Sequence, residues 1–354
     1  MIHLWGKTYT RTELLHRVGD INQLASAQPF ELVDGNERGS RGVVLRNAAG
    51  LEVTVVTERG MALTHGSFQG VPLALISPVG SAHPAYYEPR GLGWLRTFPG
   101  GFLTPCGLTQ VGSPGEDNGE ELGLHGRVAH IPARNVSWGG KWDGDDYILW
   151  VKGSMHETRV FGENLVLTRC VWTKLNEPRL WIEDRVENCG FEPVPHMFLQ
   201  HFNLGFPLVD AAARLELPEH VTTPRDDEAR SGMNHYTEFN DPVSGSLEQV
   251  FFHDLKPDND GMVFVKLVNP AFDHGRGLGV ALRYRREEYP VLVEWKMMGE
   301  GLYVVGLEPA NCHVSGRAHE RKLGTLQVLA PQEVREYNIE VIFTLGREWG
   351  ATGN

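Results

Sequence analysis

The sequence predicts an all-β protein with the architecture of a large β-sandwich. Short apolar runs with alternating polarity recur along the chain and are separated by turn residues, which is the pattern of strands. The 354 residues include 41 glycines and 21 prolines spread along the chain rather than concentrated in low-complexity runs, so many turns are expected. No amphipathic segment of helical length alternates with the strands. This argues against a doubly wound or barrel α/β fold.

The first predicted element is a short helix. Thr10 and Glu13 have capping-box spacing ahead of Leu14, and Gly19 provides a stop. We expect this helix to cover an edge or an end of the main body, and we assign residues 1–40 to a helical cap segment. The chain contains neither a linker-like tract nor a repeat of fixed period, so residues 1–354 are predicted to form a single domain.

Strands dominate the rest of the chain. A hairpin is predicted from residues 42–46 and 51–57, which are joined by a turn at 47–50. The clearest alternation is in the last strand, at 337–345. Two stretches, 77–93 and 104–126, are interpreted as long binding loops because they are rich in glycine, proline, aromatic or acidic residues. The other predicted strands are 147–151, 165–175, 180–187, 262–268, 280–284, 292–296, 303–307 and 325–329.

The stretch 195–207 is predicted to be a buried strand at the centre of the protein. It is apolar apart from two histidines, a glutamine and an asparagine, and a proline bounds each end. In an extended strand, Gln200 points to one face, whereas His201 and Asn203 point to the other. One face therefore presents an imidazole and an amide suited to a polyhydroxylated ligand. The alternative is that His196 and His201 are both hydrogen-bonded core histidines.

Charge and cysteine content restrict the function further. The formal net charge is −12 and the pI is about 5.7, which argues against nucleic acid or an anionic membrane as the main partner. The four cysteines form no CxxC pair, so neither a zinc site nor a disulfide framework is predicted. The N-terminus lacks the pattern of a signal peptide, and no apolar run approaches the roughly 18 residues of a membrane helix. We therefore expect a soluble cytoplasmic protein; the oligomeric state is left open.

Three features carry candidate chemistry: His125-Gly126-Arg127, His201-Phe202-Asn203-Leu204, and Gly306-Leu307-Glu308. Their order and settings resemble those of the aldose 1-epimerases, in the galactose mutarotase-like superfamily. A less characterised branch of that superfamily is most similar, over residues 53–345. The similarity to this branch rests on Gly93-Trp94-Leu95-Arg96, Gly100-Gly101, Cys106-Gly107-Leu108, His125-Gly126-Arg127, Glu248-Gln249-Val250, Trp295-Lys296 and Glu308-Pro309.

The resemblance implies a β-supersandwich that interconverts the anomers of a free or modified aldose without a cofactor. A base takes the proton of the C1 hydroxyl and an acid protonates the ring oxygen, each contributing about 10²–10⁴-fold to the rate. By the family pattern Glu308 is the base, His201 is the acid and His125 binds the substrate near the ring oxygen. A neighbouring carboxylate is expected to favour the protonated imidazole. The candidate substrate ligands are Arg127, Lys296, Arg96, Asn203 and His253.

Some positions depart from the family pattern. Gln200, rather than asparagine, precedes the acid histidine, and the aspartate that usually grips sugar hydroxyls has no clean match. His253 is preferred over Asp273 for that place because Asp273 lies too close to the following strand. The competing hypotheses are a sugar isomerase, a hexose-phosphate epimerase or a lyase on the same fold, and a non-catalytic sugar-binding module.

Overall fold

The computed structural model describes residues 1–346 and contains 24 strands. The strands are β1 (Ile2–Leu4), β2 (Lys7–Tyr9), β3 (Ser26–Glu31), β4 (Arg41–Arg46), β5 (Leu51–Val56), β6 (Ala62–Phe68), β7 (Val71–Pro72), β8 (Leu103–Leu108), β9 (Gly115–Asp117), β10 (Glu120–Leu122), β11 (Arg134–Asp143), β12 (Asp146–Thr158), β13 (Asn164–Lys174), β14 (Arg179–Asn188), β15 (Val194–Gly205), β16 (Arg214–Glu216), β17 (His220–Pro224), β18 (Gln249–Leu255), β19 (Met262–Asn269), β20 (Leu278–Arg285), β21 (Val291–Gly299), β22 (Leu302–Ala310), β23 (Gln327–Leu329) and β24 (Val334–Leu345).

The α-helices among residues 1–346 are short. They are α1 (Arg11–Leu15), α2 (Asp227–Ser231), α3 (Phe272–Gly275) and α4 (Arg317–Leu323). In that part of the chain no helix has the length and apolar character needed to cross a membrane. The predicted first helix is confirmed, since Thr10 and Glu13 form the reciprocal capping box of α1. It ends at Leu15, before the glycine that was expected to stop it.

Two large antiparallel sheets form the body of the protein. One has eight strands in the order β11-β12-β13-β14-β24-β20-β19-β16. The other has twelve strands. Ten of them follow the order β17-β18-β21-β22-β15-β8-β6-β5-β4-β3, while β23 pairs with β15 and β7 pairs with β6. The all-β sandwich predicted from the sequence is therefore confirmed.

Apolar side chains from both sheets form one continuous core between them, which runs from Ile2 to Phe343 along the chain. A fully buried ion pair lies in this core, with the Arg169 guanidinium gripping Asp184 through two hydrogen bonds of 2.8 and 2.7 Å. We propose that the chain is a single domain because this core is shared. The segment 1–40 is more than a cap, since β3 lies within it and pairs with β4 at the edge of the twelve-stranded sheet.

Strand β15 lies inside the twelve-stranded sheet between β22 and β8. Its side chains alternate as predicted. Phe198 and Phe202 pack into the core between the sheets, whereas Leu199 belongs to a second apolar cluster on the opposite face. Gln200 points into the core and binds Arg169 and Asp184. We call the face that carries Leu199 and His201 the outer face of the sheet.

His196 is a hydrogen-bonded core histidine, which is what the alternative interpretation of this strand predicted for both His196 and His201. Its Nδ1 lies 3.1 Å from the Leu108 carbonyl oxygen and its Nε2 lies 2.7 Å from the Tyr337 hydroxyl. Burial lowers the pKa of His196 to about 3. It therefore belongs to the core rather than to a site.

Several strands were not predicted. The stretch 104–126 is only partly a loop, since β8 covers its first residues and pairs with β15. This strand was predicted as a loop because it contains Pro105 and Gly107, and both residue types are typical of turns. Strand β3 was not predicted for the same reason, since it contains Pro29. Because β3 is an edge strand, it can accommodate a proline.

Candidate active site

A histidine and a glutamate meet on the outer face of the twelve-stranded sheet. His201 on β15 and Glu308 on β22 are brought together by the antiparallel pairing of these strands, in which Phe202 is opposite Leu307. The His201 Nε2 atom lies 3.1 Å from Glu308 Oε1, although the two atoms are not in hydrogen-bond geometry. Their residues are 5% and 2% exposed. The contact is therefore almost completely shielded from solvent.

His125 joins this pair from a loop. It has a φ of 55° and is followed by Gly126 with a φ of 73°, and its backbone is tied to β8 by a hydrogen bond from Gly107 N to the His125 carbonyl. The centroid of its ring lies 5.6 Å from that of His201, in a T-shaped arrangement. The structure thus gathers the early imidazole, the middle imidazole and the late carboxylate into one cluster.

Aromatic rings surround the three residues. Phe98 and Trp295 lie 5.6 and 5.4 Å from the His201 ring, centroid to centroid. Trp94 lies 4.9 Å from His125 and 4.5 Å from Phe98. Phe98 was not proposed for the site from the sequence, and Trp94 and Trp295 were noted only as parts of motifs. The signal that could have found them is the aromatic content of the segment just before Gly100-Gly101.

The segment that carries Trp94 and Phe98 is anchored by a buried arginine. The Arg59 guanidinium donates to the carbonyl oxygens of Ala82 (2.5 Å) and Thr97 (2.7 Å), near the two ends of the segment. Burial lowers the pKa of Arg59 to about 10. In addition, the Tyr87 ring stacks on His130 at 3.9 Å. We call residues 82–98 the covering segment, since its Trp94 and Phe98 rings pack against His125 and His201.

Burial dominates the protonation of the pair. It raises the pKa of Glu308 well above its usual value, and the nearby Glu248 raises it further. Burial also lowers the pKa of His201, as does the neighbouring His125, whose own pKa falls to about 4. The expectation that a carboxylate would keep His201 protonated was therefore wrong, because the loss of hydration outweighs the attraction. The pair is expected to hold one proton, on Glu308.

A polar network lies beside the pair. Trp295 Nε1 donates to Glu248 Oε2 at 2.9 Å, and Arg225 Nη2 donates to Glu248 Oε1 at 2.8 Å. Arg225 Nε also donates to Asp226 at 2.8 Å. No local pattern points to Arg225, because it becomes part of the site only through the pairing of β17, β18 and β21.

Two predicted substrate ligands lie on the wrong face of the sheet. His253 is paired with Leu292, and Lys296 with Val305, and both partners belong to the core between the sheets. Opposed residues of an antiparallel pair share a face. His253 instead lies 3.0 Å from Glu294, while the Lys296 ammonium donates to the carbonyls of residues 235 and 238. Neither residue can reach the His201 cluster.

The remaining predicted ligands are occupied elsewhere. Arg96 is largely exposed and pairs with Glu88 at 3.4 Å. Arg127 lies 4.0 Å from Glu163. Asn203 is on the same face as His201, but its amide donates to the carbonyls of residues 100, 101 and 201, so it shapes the backbone beneath the site. Within residues 1–346, no cluster of three or more His, Cys, Asp or Glu side chains is arranged to hold a metal ion.

Residues 37–342 match the model of the family described as domain of unknown function DUF4432. The chain belongs to this family. No curated protein matches its sequence. Among solved structures, a Klebsiella pneumoniae protein provisionally named an aldose 1-epimerase is similar, with a TM-score of 0.85 and 24% identity over 90% of this chain and 83% of the other. A galactose mutarotase-like protein of Clostridium acetobutylicum (TM-score 0.57, 14% identity, 90% and 99% covered) has a related fold.

The galactose 1-epimerase of Lactobacillus acidophilus is also similar, with a TM-score of 0.52 and 14% identity over 91% of this chain and 100% of the other. At these levels of identity the likeness concerns the fold. This member of DUF4432 therefore has the galactose mutarotase-like β-sandwich fold, and the resemblance inferred from the sequence is confirmed.

Proposed function

We propose that this DUF4432 protein is an aldose 1-epimerase-type isomerase, which opens and recloses a sugar ring so that the anomeric configuration inverts. The observation that carries the proposal is the buried contact between His201 and Glu308, with His125 beside it. The proposed setting is carbohydrate metabolism in the cytoplasm, with a small carbohydrate as the partner.

The geometry of the pair suits this reaction. The hydroxyl that loses a proton and the ring oxygen that gains one are both bonded to C1, so two neighbouring groups can serve them. A sugar that brings its C1 edge to the pair can replace the 3.1 Å contact with one hydrogen bond to each side chain. In this arrangement the two groups lie side by side at the C1 edge of the sugar rather than on opposite sides of it.

The protons balance within the pair. One group donates its proton to the ring oxygen as the C1–O bond breaks, while the other accepts the proton of the C1 hydroxyl. After rotation about C1–C2 the transfers run in reverse, and the ring closes on the other face of the carbonyl. The family pattern makes His201 the acid and Glu308 the base. Burial favours the opposite starting arrangement, in which the proton rests on Glu308.

The substrate is proposed to be a neutral aldose. A phosphate or carboxylate needs a cation, and carboxylates already lie beside the arginines around the site: Arg225 binds Asp226 and Glu248, and Arg127 lies 4.0 Å from Glu163. The Lys296 ammonium lies on the opposite face of the sheet. The aromatic rings of the site instead offer apolar surfaces to the carbon skeleton of a neutral sugar.

The test is polarimetry of freshly dissolved single anomers of several aldoses, with and without the protein. Catalysed approach to the rotation of the equilibrium mixture supports the proposal, and it should be faster for neutral aldoses than for their phosphates. Binding of aldoses with anomer exchange at the background rate would make the protein a sugar-binding module. The assignment would be refuted if the protein neither binds aldoses nor catalyses anomer exchange.

A further inference from the structure

We propose that Trp94 is a substrate-binding residue whose indole N–H donates a hydrogen bond to one hydroxyl group of the bound sugar. This inference rests on the proposed function. Trp94 is part of the Gly93-Trp94-Leu95-Arg96 motif but is not among the predicted site residues, so the proposal assigns a specificity-determining role to a residue outside that set.

The indole nitrogen of Trp94 is buried without a hydrogen-bond partner among residues 1–346. The side chain is 2% exposed, and its Nε1 makes no hydrogen bond there. Buried indole N–H groups usually find an acceptor, as do those of Trp295 (to Glu248, 2.9 Å) and Trp172 (to Glu183, 2.8 Å) in this protein. An unpaired buried donor is unfavourable, so Trp94 is expected to gain its acceptor from a ligand.

The position of Trp94 identifies that ligand. Its ring is 4.9 Å from His125 and 4.5 Å from Phe98, and these two residues flank His201 at 5.6 Å each. His201 Nδ1, in the same cluster, also lacks a partner among the described residues. Two hydrogen-bonding groups without partners, placed among the rings that line one site, match the requirements of a polyhydroxylated ligand.

The backbone that carries this side chain is also held in place. Trp94 lies in the 3-10 helix Gly93–Thr97, where its carbonyl accepts a 3.3 Å hydrogen bond from the Thr97 hydroxyl. The Thr97 carbonyl is in turn bound by Arg59. A donor fixed in this way loses little conformational freedom when it binds a hydroxyl, which favours its use in discriminating between sugars. Because an indole N–H only donates, it recognises an oxygen acceptor.

The test combines Trp94→Phe with monodeoxy analogues of the best aldose substrate. Trp94→Phe keeps an aromatic ring and removes the donor. We expect kcat/KM for the parent sugar to fall about 2- to 12-fold, mainly through KM, as for the loss of one neutral hydrogen bond. One monodeoxy analogue should be turned over equally well by the variant and the wild type. Trp172→Phe, on the other sheet, is the matched control and should leave every value unchanged.

If Trp94→Phe lowered kcat/KM equally for the parent sugar and for every monodeoxy analogue, the inference would be overturned, because Trp94 would then contribute only packing and no specific hydrogen bond. If Trp94→Phe does not fold, replacing Trp94 with benzothienylalanine, in which sulfur takes the place of the indole N–H, keeps the shape of the side chain, and the same criterion applies. A wild-type protein that neither binds nor converts any aldose would refute the proposed function itself. The measurements on the wild type alone distinguish that result from a failure of the Trp94 assignment.

Discussion

The substitution Glu308→Gln is expected to remove the proposed catalytic activity while leaving the stability of the fold almost unchanged. Glu308 is buried, and burial raises its pKa well above the usual value, which favours the neutral form of this side chain in the folded protein. A neutral amide of the same size should therefore change the free energy of unfolding by only about 1 kcal/mol or less. The proton exchanged with the sugar is lost, however. Activity should fall by about 10²–10⁴-fold, which corresponds to roughly 3–5 kcal/mol of barrier.

The chain offers a matched control for this variant. Glu294, on the neighbouring strand β21, is also fully buried and also contacts a histidine, with 3.0 Å between its Oε2 and His253 Nε2, but on the opposite face of the sheet. Glu294→Gln should leave the rate of anomer exchange within about threefold of the wild type, because its side chain is on the core face of the sheet with Leu307 and does not face the pair. The assay is polarimetry, with urea unfolding for stability. A Glu308→Gln protein that is folded and retains a third or more of the wild-type rate would refute the reasoning.

Three further predictions concern pH and the core. The pKa of His201 is lowered and that of Glu308 is raised, so the acid limb of the kcat/KM profile, where His201 takes up a second proton, should lie below the 6.5 of a free histidine, and the alkaline limb, where Glu308 loses its proton, above the 4.5 of a free glutamate; an acid limb centred at or above 6.5 would contradict this. The pKa of His196 is about 3 in the folded protein, below the 6.5 of an unfolded histidine, so its contribution to the free energy of unfolding is complete above pH 6.5 and falls by up to about 1.4 kcal/mol per pH unit from there towards pH 3. The urea midpoints at pH 7 and pH 5 measure this loss of stability, and His196→Gln should reduce the difference between the two midpoints. Asp184→Ala leaves Arg169 buried and unpaired, so the free energy of unfolding should fall by about 3–5 kcal/mol in urea titration, and a loss below 1 kcal/mol would disagree.

The sequence predicted the sandwich and the faces of β15 because both depend on local alternation. The alternation of 198–203 assigned Gln200 to one face and His201 to the other, and the structure has that arrangement. The same reasoning applied to β21 would have assigned Trp295 and Lys296 to opposite faces. Both were instead considered together because they are adjacent in a motif, and the error for Lys296 follows from that.

The rest of the candidate site depends on contacts that local patterns do not contain. Phe98 and Trp94 reach the His201 cluster because Arg59 binds carbonyls near both ends of the covering segment, an interaction between residues up to 38 positions apart. Arg225 and Glu248 meet through the pairing of separate strands. The protonation of His201 was also mistaken, since its loss of hydration can be judged only when the burial of the whole cluster is known.

The two members of the acid–base pair sit on adjacent strands inside a broad antiparallel sheet, so their separation is set by the hydrogen-bonded spacing of the backbone itself. No hinge or loop stands between them to loosen first on warming. Heat should therefore abolish anomer exchange together with the cooperative melting of the sheet, whereas His125, carried by a loop, can shift without separating the pair. The protein would then lose its catalytic activity at the same temperature at which it unfolds.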